Sequence, residues 1–158
     1  MKKKEILDFI IKNLKEDFEK QLTVTQASHE GAISEEAKQE GKYDTRAIEA
    51  SYLAGAQAKR LNELKQNIFL LESMPLRAFC SKDSVELSAL VELDLEGNRE
   101  KYFLAPVSGG IFQIQGTEIK VISMDSPIGK EIRGLTVGES IEVLLQGALK
   151  EYTLTGIE

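Results

Sequence analysis

Apolar residues recur at helical spacing along the first part of the chain. Ile6, Ile10, Leu14, Phe18 and Leu22 step by four, with Phe9 and Ile11 beside them. This places one apolar stripe on a helix. A second stripe reads Ile48, Tyr52 and Gly55, then Leu61, Leu64, Ile68 and Leu71. Its last four members step by 3, 4 and 3, the heptad spacing of a coiled-coil seam. Pro75 ends this second helix. Between the stripes, residues 30–44 are polar and broken by Gly31 and Gly41. Two long helices around a short polar break predict an antiparallel helical hairpin over residues 1–75. At about 30 residues per arm, the rod is roughly 45 Å long.

Beyond Pro75 the period falls from four to two. Val85, Leu87, Ala89, Val91, Leu93 and Leu95 share one parity, while Glu86, Ser88, Glu92 and Asp94 hold the other. That alternation predicts a half-buried strand. Glu96-Gly97-Asn98 is a turn signal, and 101–104 returns as its partner. Residues 111–114 and 119–123 read as two short strands. Residues 141–145 and 151–157, joined by Gln146-Gly147-Ala148, read as a closing hairpin. Between these pairs, Ser126 suits a helix N-cap, Pro127 the first helical position and Gly134 the stop. The pattern predicts an α+β chain: a coiled-coil hairpin at 1–75, then a small antiparallel sheet with one short helix at 76–158.

Composition narrows the function. The 158 residues carry 20 basic and 26 acidic side chains, a net charge of -6. The second part holds 8 basic and 13 acidic residues, against 12 and 13 in residues 1–75. A broad phosphate-neutralising face is therefore not expected, least of all on the sheet domain. One cysteine, Cys80, and one histidine, His29, exclude an internal disulfide and a Cys- or His-based metal cage. Cys80 reads as a small buried residue of the apolar stretch 76–80, and His29 as an exposed helix residue. The start, Met1-Lys2-Lys3-Lys4-Glu5, is basic, and the residues after it are amphipathic with no uninterrupted apolar stretch. No signal peptide and no membrane span are expected, which points to a reduced, cytoplasmic protein. Ser108-Gly109-Gly110 lacks the frame of a phosphate-binding loop and reads as a plain loop.

Two segments carry a resemblance. One is Ser123-Met124-Asp125-Ser126-Pro127-Ile128-Gly129-Lys130-Glu131-Ile132-Arg133-Gly134, followed by Val137-Gly138-Glu139-Ser140. The other is Glu40-Gly41-Lys42-Tyr43-Asp44-Thr45-Arg46-Ala47-Ile48-Glu49-Ala50-Ser51-Tyr52-Leu53-Ala54-Gly55. The first resembles the C-terminal signature of the bacterial Gre transcript-cleavage factors, a strand followed by a Ser-Pro helix. The second resembles the stretch leaving their coiled-coil tip. The likeness covers roughly residues 25–158. It implies a sheet domain similar to FK506-binding proteins (FKBP-like) and a partner, bacterial RNA polymerase. In that family the sheet domain docks at the rim of the polymerase secondary channel and the coiled coil enters it. Two acids at its tip help hold a catalytic Mg²⁺ and orient the water that cuts backtracked RNA. Mg²⁺ prefers hard carboxylate oxygens, which explains the residue type. The factor itself is not an enzyme: it stimulates cleavage by the polymerase, and meets the nascent RNA 3' end only inside it.

The resemblance also maps the site. Asp125, Ser126, Pro127, Ile128 and Gly129 fall where the family contacts the polymerase rim. The family's tip acids stand seven and four positions before a Tyr that here matches Tyr43. Seven back is Glu36; four back is Gln39, a neutral amide. Glu40 lies one position later, and Glu36 and Glu40 would be i,i+4 neighbours on a helix. Two readings stand side by side. In one, Glu36 and Glu40 hold the metal. In the other, the tip occupies the channel and cuts poorly or not at all, because a one-residue shift turns a helical side chain by about 100°. Lys42 and Arg46 fit either contact with RNA phosphates or pairing with acids such as Asp44 and Glu49. Outside the resemblance, the acid-rich segment reads as a solvated loop. A prolyl isomerase is disfavoured because the chain has no Trp. A closed hairpin predicts a monomer, whereas an adaptor dimerising through its coiled coil is the alternative.

Overall fold

The computed structural model describes residues 2–36 and 45–158, with side chains described over 2–31 and 48–158. The elements run α1 (Lys3–Glu36), α2 (Thr45–Glu72), β1 (Leu90–Leu95), β2 (Asn98–Ala105), β3 (Gly110–Ile114), β4 (Thr117–Ser123), α3 (Pro127–Ile132), β5 (Ser140–Leu145) and β6 (Ala148–Ile157). They fall into two compact units. One is Ile11–Phe69; the other joins Met1–Ile10 to Leu70–Glu158.

The helical unit is a two-helix pair with a narrow seam. On α1 the half-buried residues include Leu14, Phe18, Gln21, Leu22 and Thr25, and on α2 they include Ala50, Ala54, Gln57, Leu61 and Leu64. The α2 set advances by threes and fours, as a coiled-coil seam requires, and so does the α1 set once Gln21 and Leu22 are taken as adjacent flanks of one position. The Arg60 Nε donates to the Gln21 Oε1 at 3.2 Å, which ties the two helices side to side. The start of the second stripe is corrected here. Ile48 is 70% exposed and Tyr52 83% exposed. The seam runs instead through Ala50 and Ala54, two residues on and so about 200° around the helix. Large side chains misled the reading because the true seam residues there are alanines.

In the other unit the six strands form one sheet in the order β3-β4-β2-β1-β6-β5. The pairings are antiparallel except one: β2 and β4 run parallel, with Lys101 opposite Ile119 and Ala105 opposite Ser123. The expectation of a wholly antiparallel sheet is corrected at this pair. The chain leaving β2 passes beyond the place of β4, forms the outer strand β3 and turns back, so β4 inserts beside β2 in the same direction. The β1 strand is also shorter than its alternation suggests. Ser88 has φ +69 and interrupts the extended backbone. Val85 pairs instead with the segment after α3, its N–H donating to the Leu135 carbonyl at 2.8 Å. Val85, Ala89, Val91 and Leu93 are fully buried as the alternation predicts, but Ser88 and Leu90 of the opposite parity are buried as well, so the outward face expected there is covered.

One sheet face, with α3, closes a core of Val91, Leu93, Tyr102, Leu104, Ile132, Val143, Tyr152 and Leu154. Phe103, Ile119 and Val121 are buried as well. Phe103 lies between Tyr102 and Leu104 of the first set and so points to the opposite face, which leaves both sides of β2 covered. The helix ends in this unit add Ile6, Ile10, Leu71 and Met74, all buried. Phe9 meets Phe112 edge to face, with ring centroids 6.2 Å apart. Lys3 binds the Arg77 carbonyl and, at 2.9 Å, the Glu158 carbonyl, while lying 4.5 Å over the Phe79 ring. Burial lowers its pKa from the ordinary lysine value, and the nearby Glu158 charge opposes that shift. Cys80, expected to be buried, is exposed. Its backbone N–H is held in a turn by the Asp83 carboxylate at 2.7 Å.

Candidate functional site

The segment carrying the Ser-Pro signature is built around one hydroxyl. Ser126 has extended backbone angles and caps α3. Its Oγ accepts the Gly129 N–H at 3.0 Å and donates to the Ser123 carbonyl at 2.7 Å. Its own carbonyl accepts the Lys130 N–H at 2.9 Å. Pro127 fills the first helical position, where a missing N–H costs nothing. Gly129 is fixed by space. A Cβ there would stand 2.1 Å from the Ser123 carbonyl oxygen and 2.8 Å from the Ser126 Oγ. The end of β4 thus grips the first turn of α3 so closely that only glycine fits.

The five residues named from the sequence divide by this geometry. Asp125 and Pro127 are exposed, on either side of the capping Ser126 in sequence. Ser126 and Ile128 are half-buried, and Ile128 packs against the main core. Gly129 is buried and offers no side chain. The last three therefore hold the first two in place.

Beside this edge lies a concavity of about 460 Å³, lined among others by Ile111, Ile122, Ile128, Leu145 and Tyr152. Glu100, Tyr102, Lys120 and Lys150 also border it. The Glu100 carboxylate accepts from the Tyr102 hydroxyl and pairs with the Lys120 ammonium at 2.7 Å. Burial alone would raise the Glu100 pKa, but the bonds from Lys120 and Tyr102 outweigh it and hold the carboxyl below its ordinary value. The Tyr102 hydroxyl moves the opposite way, raised by burial and by the Glu100 carboxylate. The sequence reading missed this network. Its signal was the period-two placement of Glu100 and Tyr102, but Lys120 joins them only through the unforeseen β2–β4 pairing.

The candidates from the hairpin connection are only partly described. Glu36 ends α1 and Arg46 lies in the first turn of α2, with their side chains outside the described residues. Gln39, Glu40 and Lys42 lie outside the described residues altogether. Among the described residues, no group of three or more His, Cys, Asp or Glu stands ready to hold a metal. His29 is exposed, as expected. Among them, too, no helix is long and apolar enough to cross a membrane.

Comparison with known proteins gives one curated relative along nearly the whole length. The transcription elongation factor GreA of Rickettsia bellii is 27% identical over 156 residues, covering 98% of this chain and 89% of that protein. No family model matches the chain. Among solved structures, GreA factor homolog 1 (Gfh1) of Thermus thermophilus is 17% identical, with a TM-score of 0.40 and 94% of each chain covered. Gfh1 of Thermus aquaticus is 19% identical, with a TM-score of 0.41 and 92% of each chain covered. GreA/GreB of Nitrosomonas europaea is 19% identical, with a TM-score of 0.37, covering 65% of this chain and 91% of that one.

Proposed function

We propose that this Gre-like chain is a transcription elongation factor that binds bacterial RNA polymerase at its secondary channel. The observation that carries the reading is the GreA match across 98% of the chain. The capped Ser126-Pro127 helix behind a two-helix pair supports it, because the order of elements is the one the sequence resemblance implies. The exposed pair Asp125 and Pro127, held by Ser126 and Gly129, is the docking edge. The hairpin delivers Glu36 and Glu40 to the polymerase active site.

There the two carboxylates would offer hard oxygens to a Mg²⁺ shared with the polymerase, an ion that supplies Lewis-acid stabilisation of an in-line displacement when bound. Lys42 and Arg46 would meet the phosphates of the RNA 3' end. The protein is not itself the enzyme: its residues place charge, and the polymerase cuts. A second reading is favoured by one residue. Gln39 stands where the resemblance asks for an acid, and an amide brings no charge to a metal. In that reading the protein occupies the channel and inhibits or tunes transcription without stimulating cleavage.

Stalled, backtracked elongation complexes incubated with the protein test both. Shortening of the RNA, lost in Glu36→Ala and Glu40→Ala, supports the cleaving form. Binding without shortening supports the occupying form. No binding, and no competition with GreA for the polymerase, rejects the proposal as a whole.

A further inference from the structure

The sheet ends in two outer strands, and they are not alike. On β3, Phe112 meets the Phe9 ring of α1, so one face of that strand is shielded. At the opposite edge, β5 is the last strand. It pairs with β6 without a bulge, from Ser140 opposite Thr153 to Leu145 opposite Ala148. Among the described residues no backbone bond reaches its other side. That side is a row of open N–H and C=O groups about 20 Å long. Edges of this kind are commonly blunted by proline, lysine or a bulge. The run Ser140-Ile141-Glu142-Val143-Leu144-Leu145 has none of the three.

Its side chains form a pattern, because opposite residues on antiparallel strands share a face. Ile141, Val143 and Leu145 turn to the core. The alternate residues point to the other face, where Leu144 stands opposite Leu149 and Glu142 opposite Glu151. Leu144 is 66% and Leu149 62% exposed, and both glutamates are exposed. Like charges directly opposite repel, and neither carboxylate has an ion pair among the described residues. Lys150 alternates to the core face, where it borders the concavity. Arg99 and Lys101 share the glutamates' face but stand two strands further in, beside Glu92. The edge therefore offers open backbone, two exposed leucines and two carboxylates that lack a cation.

A second copy of the chain does not supply that cation. An antiparallel copy of β5 can overlap five of the six residues in two registers that keep like faces together. One sets Glu142 opposite its own copy, and the other sets it one diagonal place away. Each crowds Glu142 and Glu151 of both chains onto one face. The complementary occupant is a basic strand of another polypeptide. We propose that β5 is a docking edge for an extended segment of a partner protein, which adds to the six-stranded sheet as a further strand. Main-chain bonds to β5 give the affinity, and alternate side chains give the choice of sequence. In antiparallel addition an apolar residue of the partner meets Leu144. A Lys or Arg two positions later meets Glu142, with the Glu151 charge behind it. None of these residues belongs to the channel-binding reading, which can fail while β5 docks its strand.

The probe is a capped peptide, Thr-Val-Leu-Val-Lys-Val-Thr, titrated into the full-length isotope-labelled chain and followed by NMR. The expected result is binding with amide shifts centred on residues 140–145, and cross-strand contacts that place the peptide Lys opposite Glu142. A peptide with Glu in place of that Lys binds at least about threefold more weakly. The Glu142→Lys chain reverses the order of the two peptides, and its melting temperature stays near that of wild type because the side chain is exposed. Equal affinity for the two peptides, or an order that Glu142→Lys leaves unreversed, overturns the proposal. So do shifts centred on β3, an absence of binding up to the solubility limit of the peptide, and pairing of two chains through β5 in its place.

Discussion

Gly129→Ala is the sharpest perturbation the sheet unit offers. The added methyl would stand 2.1 Å from a backbone carbonyl, that of Ser123, and 2.8 Å from the hydroxyl that caps α3. The carbonyl is backbone and cannot swing aside, so the first turn of α3 must move away from the end of β4. That movement breaks the Gly129 N–H bond to Ser126, a cap worth about 1 kcal/mol. It also displaces Ile128 and the fully buried Ile132 from the core, and overpacking of this kind costs about 1–3 kcal/mol. The expected loss is roughly 2–4 kcal/mol. For a chain of this size that lowers Tm by roughly 5–15 °C. Thermal and urea unfolding by circular dichroism measure it. Ser126→Ala is the control: it removes the cap without the clash and should cost only ~1 kcal/mol. A Gly129→Ala protein within ~0.5 kcal/mol of wild type would show that the grip of β4 on α3 is not as tight as the geometry says. At temperatures where the variant is still folded, the shift of Asp125 and Pro127 should weaken polymerase binding as well.

Other outcomes rest on the same structure. Asp125→Arg and Pro127→Ala, both on exposed side chains, should leave stability within ~0.5 kcal/mol yet reduce polymerase affinity in a pull-down. Lys3→Met removes two carbonyl contacts that tie the start of α1 to residues 77 and 158, and should cost about 1–2 kcal/mol by urea unfolding. The Glu100 carboxyl has a folded pKa below its unfolded one. The stability it contributes is therefore full above the unfolded carboxylate pKa and drains as pH falls through the folded value. Urea midpoints measured from pH 7 downward should show that acid limb, and Glu100→Gln should flatten it. Ile48→Glu and Tyr52→Ser, on the exposed face of α2, should leave the melting temperature unchanged, which a buried stripe would not allow.

Much of this architecture was readable from periodicity, because burial and spacing are linked. Every member of the α1 stripe from Ile6 to Leu22 is buried or half-buried, since a step of four keeps side chains on one helix face. The turns were equally legible. Glu96-Gly97 and Gln146-Gly147 take positive φ at both positions, as tight hairpins demand, and Ser126 caps α3 where the sequence placed it. What escaped were features decided by distant pairings. Alternation cannot tell a parallel from an antiparallel neighbour, so the insertion of β4 beside β2 was invisible, and with it the Lys120–Glu100 pair. Ser88 looked like an ordinary outward residue of a strand, yet its positive φ and its bond from the Arg77 N–H at 2.9 Å make it the break before β1. On α2, alanines carry the seam while Tyr52 faces solvent, an inversion that size-based reading gets wrong. Of the site, the Ser-Pro edge could be read in the sequence because capping is local chemistry. The division of labour within it, with Gly129 buried and Asp125 exposed, needed the carbonyl of Ser123 in three dimensions.

If the hairpin carries residues 36–40 into the polymerase beside its active site, a probe placed on that segment must report the catalytic centre. An iron chelate tethered to a cysteine introduced at Gln39, in the Cys80→Ser chain, reads this through hydroxyl-radical cuts in the bound polymerase. The expected cuts are confined to segments that surround the polymerase catalytic centre and its secondary channel, and added GreA suppresses them. Cuts scattered over the outer surface, or none while the complex is intact, would be incompatible with entry of the hairpin into the channel.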